Sequence, residues 1–469
     1  MSIPSSSESA LPEQEPSYLI IGAGAFGAST ALHLIRTHPN TSITLVDRDA
    51  HTAPFRVAAS WDWNKVIRAD YSDPEYSKLG VEAQTLWRND PIFREWYHES
   101  GVVWIKSSAA ADGGTDMEGF VDKAVRNLRQ LSDGKEAEGI ELLSVEDAKA
   151  AYGGFLRGAD YTGVTKALVN KKSGWAEAKE ALHATIQAAI DLGVEYRVAE
   201  VKRLGIDGGA CQGVVIATAE GGAETTLKAD RVVLCTGAYT PKLLIDSAPR
   251  WEELHAKGRI VAMAVTEAVV PLGEEGPNVL GRRPPVAIND NPTERGTLAI
   301  SISLACFEVG CLPLPGMNAF KCWGQIIFRN TATDNALSTP PQRPDYAQWD
   351  VPQVLRDDVG WALRSVFGES EATRPMEHYR ICWDAVTPSE DFIISPHSAC
   401  PGLYIATCGS FHGFKFLPVI GKYVVQMLEG QLDSALGDKW AWGRELPTVV
   451  SHKKLSNVEL RDLNKEKLC

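Results

Sequence analysis

The sequence lacks three features that assign a chain to a broad class at once. No uninterrupted apolar run is long enough to cross a bilayer, and the amino terminus has no charged-then-apolar secretion signal. The nine cysteines show no CxxC spacing, so they predict neither a metal site nor a disulfide framework. Each cysteine is therefore expected to be a small buried hydrophobe. These absences favour a cytoplasmic protein, or one of an organellar lumen, with no membrane partner.

Positive charge is also scarce. The formal net charge is −13, which argues against a general nucleic-acid partner or an anionic membrane surface. The carboxyl-terminal tripeptide Lys467-Leu468-Cys469 differs from the Ser-Lys-Leu type of peroxisomal address, so no peroxisomal location is predicted. At 469 residues the chain is long enough for two domains with a sizeable core in each.

The most informative segment that is present lies near the amino terminus. An apolar run, Tyr18–Ile21, leads into Gly22-Ala23-Gly24-Ala25-Phe26-Gly27, and an amphipathic stretch from 28 to 37 follows. This pattern predicts a strand, a glycine turn and a helix of the dinucleotide-binding type. Gly22 is expected to form the tight turn, Gly24 to let the backbone approach a pyrophosphate, and Gly27 to let the helix pack closely on the strand.

A carboxylate follows at the expected distance. The run from 42 to 46 predicts a second strand, and Asp47 comes twenty positions after Gly27, where it can accept a hydrogen bond from a ribose hydroxyl. The motif alone leaves open whether the dinucleotide is FAD or NAD. A later apolar strand that ends in Thr236-Gly237-Ala238 is typical of flavoproteins and favours FAD.

The remaining periodicities outline the domains. They predict helices over 71–100, 176–192 and 416–428, strands over 101–106, 194–198 and 402–407, and short alternating strands from 250 to 374 with a proline-rich loop at 340–352. The predicted fold class is α/β plus β, with a discontinuous Rossmann-like FAD-binding domain and an inserted, mainly antiparallel substrate domain. The expected division is a disordered tail (1–16), an FAD-binding domain (17–100, 170–245 and 390–440), a substrate domain (101–169 and 246–389) and a carboxyl-terminal extension (441–469).

Four segments carry a family resemblance. Residues 380–388 read Arg-Ile-Cys-Trp-Asp-Ala-Val-Thr-Pro, and this segment continues at 391–394 with Asp-Phe-Ile-Ile. Residues 409–416 read Gly-Ser-Phe-His-Gly-Phe-Lys-Phe. Residues 64–68 read Asn-Lys-Val-Ile-Arg, and residues 172–175 read Lys-Ser-Gly-Trp. The chain resembles the FAD-dependent amine oxidases that include monomeric sarcosine oxidase, fructosyl amino acid oxidase (amadoriase), and saccharopine and pipecolate oxidase. The resemblance is strongest to the fungal branch.

That resemblance implies FAD bound covalently, with the Cys382 sulfur joined to the flavin 8α-methyl carbon, because a thiolate adds readily to an electron-poor carbon. It implies a set of further cofactor-binding residues that spans most of the chain. These are Gly22, Gly24, Ala25, Phe26, Gly27, Asp47, Arg48, Ser60, Asn64, Lys65, Val201, Thr236, Gly237, Gly413, Phe414 and Lys415.

The resemblance also implies three catalytic cations. Lys415 and Arg68 are expected to hold the carboxylate of an amino-acid substrate between them, which fixes the reacting carbon over the flavin. Lys321 is expected against the other face of the flavin, where a buried cation stabilises superoxide as oxygen is reduced. A lysine at a strand edge facing water is the competing interpretation for Lys321.

Departures from the sarcosine oxidase pattern concern the substrate. Trp61 and Trp63 stand where that branch has small and polar residues, so a roomier aromatic substrate site with Trp63 in it is expected. Asp384 replaces a tyrosine, and it either meets a substrate amine or hydroxyl or pairs with Arg380, which is the preferred interpretation. His412 either contacts the substrate or stabilises its turn.

The implied reaction is the oxidation of the C–N bond of an N-substituted amino acid, such as an N-methyl amino acid, pipecolate or a saccharopine-like substrate. Hydride passes to flavin N5, oxygen is reduced to hydrogen peroxide and an imine is released, in a pathway that includes fungal secondary metabolism. The expected enzyme is a monomer whose partners are a small amino-acid-like substrate and molecular oxygen. The alternatives are a deglycating fructosyl amino acid oxidase, an NAD-dependent dehydrogenase and a non-catalytic nucleotide-binding protein.

Overall fold

A computed structural model describes residues 15–106, 117–217, 223–290, 308–331, 336–341, 348–447 and 455–463. The predicted disordered tail lies outside the described residues except for Glu15 and Pro16. The carboxyl-terminal extension is described only at 441–447 and 455–463. No helix of these ranges is both long and apolar enough to cross a membrane.

Strands and helices are interspersed along the described chain. The strands are β1 (Tyr18–Ile21), β2 (Ile43–Asp47), β3 (Asn64–Ile67), β4 (Tyr97–His98), β5 (Val102–Lys106), β6 (Ile140–Ser144), β7 (Lys166–Asn170), β8 (Gly174–Glu177), β9 (Glu195–Val198), β10 (Glu200–Asp207), β11 (Ala210–Ala217), β12 (Thr225–Lys228), β13 (Arg231–Leu234), β14 (Val261–Pro271), β15 (Val286–Asp290), β16 (Val309–Leu314), β17 (Ala319–Trp323), β18 (Glu377–Val386), β19 (Ile393–Pro396) and β20 (Leu403–Thr407). The helices are α1 (Ala25–Thr37), α2 (Pro74–Asn89), α3 (Met117–Gln130), α4 (Val145–Gly154), α5 (Ala178–Asp191), α6 (Thr240–Ser247), α7 (Gly276–Gly281), α8 (Gln353–Phe367), α9 (Ile420–Leu428), α10 (Ser434–Lys439) and α11 (Leu460–Leu463).

The first large sheet carries the glycine turn. Six strands of the described chain form it in the order β19-β20-β13-β1-β2-β9, and all neighbours are parallel except β19 and β20. All four residues of β1 are buried, as is expected of a central strand covered on both faces. Helix α1 follows β1 directly and packs against α5 and α9. The sheet thus joins the two ends of the chain, as the discontinuous Rossmann-like fold class predicts.

The second large sheet is mainly antiparallel. Its described strands run in the order β18-β14-β17-β16-β15-β5-β7-β6, and the β5–β15 pair is parallel. Successive residues on a strand point to opposite faces. One face of β17 therefore holds Lys321 toward the first sheet, while Phe320 points into a separate hydrophobic cluster. The fold class is confirmed, whereas the individual domain boundaries stay predictions.

Two expectations from the sequence are wrong. The stretch from 250 to 374 contains helix α8, whose Leu355, Val359 and Val366 recur at helical spacing and are fully buried. Cys311 and Cys322 lie opposite each other on β16 and β17 and form a disulfide, so they are not independent hydrophobes. The pairing is set by strand register, which the cysteine spacing does not reveal.

Candidate functional site

A cavity of about 430 Å³ runs from the glycine turn to the strands of the second sheet. It brings together residues that are far apart in sequence, because the two chain ends share one sheet. The predicted site residues among its lining are Gly22, Gly24, Ala25, Phe26, Asp47, Arg48, Ser60, Lys65, Arg68, Val201, Thr236, Gly237, Lys321, Cys382, Asp384, His412, Gly413, Phe414 and Lys415.

Three predicted site residues do not line this cavity. A Cβ atom on Gly27 would lie 1.8 Å from the Gly22 carbonyl oxygen, so Gly27 serves helix packing, as its place in the motif predicts. Asn64 is buried and donates to the Pro313 carbonyl at 2.6 Å. Trp63 lies in an aromatic cluster with Trp61 and Trp349, at ring-centroid distances of 5.9 and 6.2 Å, outside the cavity wall.

One end of the cavity is shaped by the turn. Gly22 has a φ of +96°, and a Cβ atom there would lie 2.6 Å from the Cys235 carbonyl oxygen, so only glycine fits without a shift. The Asp47 carboxylate accepts from the Ala23 N–H at 2.7 Å and pairs with Arg56 at 3.0 Å. Ser60 Oγ accepts from the Ala25 N–H at 2.8 Å. The turn, the acid and the helix start are therefore held in a fixed arrangement.

A buried charge cluster forms the middle of the cavity. Lys321 Nζ contacts Asp62 at 2.5 Å, the Asn64 carbonyl at 2.8 Å and Glu267 at 3.4 Å. Lys65 Nζ contacts the same two carboxylates, at 2.7 and 3.3 Å. Arg380 pairs with Glu267 at 3.2 Å. Three cations and two carboxylates leave one net positive charge beside the cavity.

Burial and neighbouring cations shift the pKa values of Glu267 and Cys382 in opposite directions. Burial by itself would raise the pKa of Glu267, but Lys321, Lys65 and Arg380 outweigh it and hold that pKa well below its usual range. For Cys382, burial is the largest effect and raises the pKa of the thiol, while Lys65 opposes the rise. The Lys65 Nζ lies 4.0 Å from the Cys382 Sγ. The cation is thus placed where it favours the thiolate.

Arg68 and Lys415 converge at the far end of the cavity. The Arg68 guanidinium lies 4.4 Å from the ring centroid of Tyr71, and the Lys415 ammonium lies 5.4 Å from the same centroid. Lys415 also donates to the His412 carbonyl at 2.9 Å and is 5% exposed. Two cations beside one ring form a site that suits a carboxylate.

Arg68 is positioned by a buried carboxylate. Asp70 is fully buried and pairs with Arg68 at 3.6 Å. Its oxygens also accept from Trp104 Nε1 and Asn170 Nδ2, each at 3.0 Å. These hydrogen bonds hold the Asp70 carboxylate in place, and the carboxylate in turn orients the Arg68 side chain.

The expected pairing of Asp384 with Arg380 is wrong. The two residues lie four apart on β18, which separates them by roughly 13 Å along an extended strand. Asp384 instead accepts from the Phe411 N–H at 2.7 Å and from the Ala385 N–H at 2.8 Å. It anchors the loop that follows β20 while still lining the cavity.

His412 makes contacts from both ring nitrogens. Its Nδ1 lies 3.3 Å from the Tyr71 hydroxyl, and its Nε2 lies 3.0 Å from the Glu390 carbonyl oxygen. The ring also stacks on Phe392 at a centroid distance of 5.0 Å. These contacts favour the stabilising role at the turn over direct substrate contact.

Four carboxylates that line the cavity were not predicted from the sequence: Asp49, Glu200, Glu267 and Glu308. Glu267 is the one charged residue within the apolar run of β14, and such an isolated charge is a usable signal because it must be paired when buried. Glu308 lines the cavity near Tyr71, and its backbone carbonyl accepts from Trp323 Nε1 at 2.6 Å. No local pattern marks Glu308, since only the tertiary structure places it in the wall of the cavity that Arg68 and Lys415 also line.

Comparison with known proteins supplies an independent view. The model of a family described as FAD dependent oxidoreductase (DAO) matches residues 17–427. An L-saccharopine oxidase of Schizosaccharomyces pombe is 27% identical over 441 residues, which cover 90% of this chain and 92% of that protein. An amino acid oxidase of Aspergillus flavus is 27% identical over 466 residues, covering 88% and 92%.

A solved structure has a similar fold. The modified fructosyl peptide oxidase from Aspergillus nidulans superposes with a TM-score of 0.73 over 95% of this chain and 97% of that one. The two chains are 22% identical, so the likeness concerns the fold alone.

Proposed function

Because the chain belongs to the family of FAD-dependent oxidoreductases, we propose that it oxidises the C–N bond of an N-substituted amino acid and passes the electrons to oxygen. The observation that carries this proposal is the convergence of Arg68 and Lys415 beside Tyr71, in the same cavity as the glycine turn and Cys382. An amino-acid carboxylate is the ligand that two such cations select.

The residues present fit FAD. The glycine turn and the start of α1 offer backbone N–H groups to a pyrophosphate, and the absence of a Cβ at Gly24 leaves space beside Ser60, whose Oγ such a Cβ would meet at 3.2 Å. Asp47 lies at the end of β2, where it would accept from a ribose hydroxyl. Farther along the cavity, Lys65, Lys321 and Cys382 would surround the flavin ring system.

When bound, the flavin supplies the two-electron acceptor for the substrate and the donor for oxygen. The protein orients the substrate: Arg68 and Lys415 bind the carboxylate, and Asp70 and Tyr71 keep these cations in place. Glu308 lines the same cavity and would bind the substrate nitrogen or a second cationic group. A substrate with one carboxylate and one amine fits this pattern of charges.

Two finer assignments belong to the same proposal. Cys382 would hold the flavin through an 8α-S-cysteinyl bond, which is supported by its place in the cavity wall and by the Lys65 ammonium at 4.0 Å. Lys321 would favour the reduction of oxygen, which is supported by its burial and by the net positive charge of its cluster. A monomeric, cytoplasmic protein that binds neither nucleic acid nor membranes stays a prediction.

The test is anaerobic mixing of the purified enzyme with a panel of N-methyl amino acids, pipecolate, saccharopine and fructosyl amino acids. We expect the visible flavin absorbance to bleach with at least one secondary amine, and admission of air to restore it with formation of peroxide. Bleaching by fructosyl amino acids alone would support the deglycating alternative. Bleaching by no amine, or turnover only with added NAD, would overturn the proposal.

A further inference from the structure

A second cavity, of about 290 Å³, lies on the opposite face of the eight-stranded sheet from the first. The two cavities touch consecutive residues of β17, because Lys321 lines the first and Phe320 lines the second. Its volume is close to that of small-molecule sites in proteins. No residue that lines it also lines the first cavity.

The interior of the second cavity is aromatic and aliphatic. Phe155, Phe320 and Phe367 contact one another, with ring centroids 5.3 to 5.5 Å apart. Val270 and Leu363 extend this apolar wall. An occupant in contact with these side chains gains affinity mainly by removing apolar surface from water.

The mouth of the cavity carries an unbalanced positive charge. Arg374 and Glu371 both line it and form an ion pair at 2.5 Å, so their charges offset each other. Arg282, the third charged residue there, follows α7 and is exposed. Within the described part of the chain, its guanidinium makes neither an ion pair nor a hydrogen bond.

An unusual backbone segment forms the wall next to Arg282. Tyr152, Gly153 and Gly154 have φ values of 50°, 68° and 82°, which places three consecutive residues in the left-handed region at the end of α4. A Cβ atom on Gly153 would lie 3.5 Å from Arg282 Nη1, so this turn packs next to the guanidinium in the cavity wall. Left-handed φ at a tyrosine is costly, and such conformations cluster where a fold shapes a site.

We propose that this cavity binds a small monocarboxylate with an apolar tail. The carboxylate pairs with Arg282 at the mouth, and the tail packs on the three phenylalanine rings. A cationic ligand is disfavoured by Arg282, and a neutral one forgoes the charge-assisted hydrogen bonds of a guanidinium. The site is separate from the substrate cavity and does not depend on the function proposed for that cavity.

The test is calorimetric titration of the oxidised holoenzyme with octanoate and with its uncharged analogue octanamide. We expect octanoate to bind at least about tenfold more tightly than octanamide, because only octanoate pairs with Arg282. Arg282→Gln is expected to remove that preference. Arg283→Gln is the matched control, since Arg283 is an exposed neighbour that does not line the cavity.

A second variant tests the apolar part of the site. Val279→Phe adds volume to the half-buried wall of the cavity and is expected to abolish binding of both compounds while leaving the flavin spectrum unchanged. Absence of binding up to about 10 mM octanoate would overturn the proposal. Equal affinity for octanoate and octanamide would also overturn it, as would octanoate binding that Arg68→Gln removes and Arg282→Gln leaves intact.

Discussion

The Lys65 ammonium, on β3, lies 4.0 Å from the Cys382 sulfur, on β18, and both residues line the cavity. Lys65 is held there by Asp62 and Glu267, which are themselves buried. The cation opposes the burial that raises the pKa of Cys382. The proposed attachment of flavin to Cys382 is therefore expected to depend on pH.

The first prediction concerns that attachment. A thiolate is the attacking form, and the pKa of Cys382 is raised, so attachment to the apoprotein should become faster as the pH rises. Lys65→Met removes a cation that lowers this pKa and should move the pH profile upward by about one unit. The measurement is the fraction of flavin that precipitates with the protein in acid, after incubation with FAD at each pH.

Two further variants complete this test. Lys65→Arg keeps the charge and should restore a profile close to that of the natural protein. Cys382→Ala should leave all flavin in the acid supernatant. Flavin that stays with the Cys382→Ala pellet would contradict attachment at this residue.

The second prediction concerns Lys321. Its replacement by Gln keeps a hydrogen-bond donor near Asp62 but removes the buried charge, and it should slow reoxidation of the reduced enzyme by about 100-fold. Anaerobic reduction by substrate should change far less. Stopped-flow absorbance measures both rates. Lys106→Gln is the control, because Lys106 also forms an ion pair, with Asp290, away from the cavity. Equal slowing of both half-reactions would argue against a role in the oxygen step.

The third prediction concerns Asp70, which acts through Arg68. Asp70→Asn removes the charge that holds the guanidinium while keeping a side chain of the same shape. KM for a carboxylate-bearing substrate should rise about tenfold with a smaller change in kcat, and the enzyme should discriminate less between an amino acid and its amide. Steady-state kinetics on the two substrates measure this. Asp230→Asn, at a remote exposed position, should leave both constants unchanged.

The fourth prediction concerns backbone packing. A Cβ atom on Gly27 would lie 1.8 Å from the Gly22 carbonyl oxygen, so Gly27→Ala must displace α1 from β1. We expect a loss of about 1–3 kcal/mol in the free energy of unfolding and poor retention of FAD. In α10, a Cβ on Gly437 would meet no atom within 4 Å, and Gly437→Ala should be neutral or stabilise by about 0.5–1 kcal/mol. Chemical denaturation and flavin content distinguish the two.

The fifth prediction concerns His397, which is buried. Its Nδ1 accepts from the Ala399 N–H at 3.3 Å and its Nε2 faces the Leu254 carbonyl at 3.2 Å, an arrangement that suits the neutral ring. Burial lowers its pKa from 6.5 to about 4. The unfolded chain therefore takes up a proton first as the pH falls through 6.5, and the folded state loses stability until the pH nears 4.

As the pH falls from 7 to 5, the titration of this histidine should lower the free energy of unfolding by roughly 1–2 kcal/mol. The His397→Gln variant should have a lower free energy of unfolding than the natural protein at pH 7. Because its side chain does not titrate, that free energy should fall less between pH 7 and pH 5. Urea denaturation at both pH values measures the difference. An equal loss in the two proteins would show that other groups cause the acid sensitivity.

The sequence was sufficient to predict local structure wherever a few consecutive residues determine the backbone conformation. The glycine turn, with Gly22 and Gly27, needs specific backbone geometry that only certain residues permit, so its structure was predictable from the order of residues. Helix α8 is the opposite case. Its apolar residues recur at helical spacing, but the alternating pattern of the surrounding segment predicts short strands there. The Cys311–Cys322 disulfide could not be found, because strand register pairs residues without a local signal.

The sequence by itself determined a dinucleotide-binding domain built from both chain ends, and its family resemblance indicated Cys382, Lys415, Arg68 and Lys321 as site residues, all of which line one cavity. Only the tertiary structure decided how charges are paired within that cavity. Arg380 pairs with Glu267 and not with Asp384. Asp384 lies four positions after Arg380 on the same extended strand, whereas β14 places Glu267 directly opposite Arg380. The order of residues sets local conformation, but the distance between charges depends on which strands become neighbours.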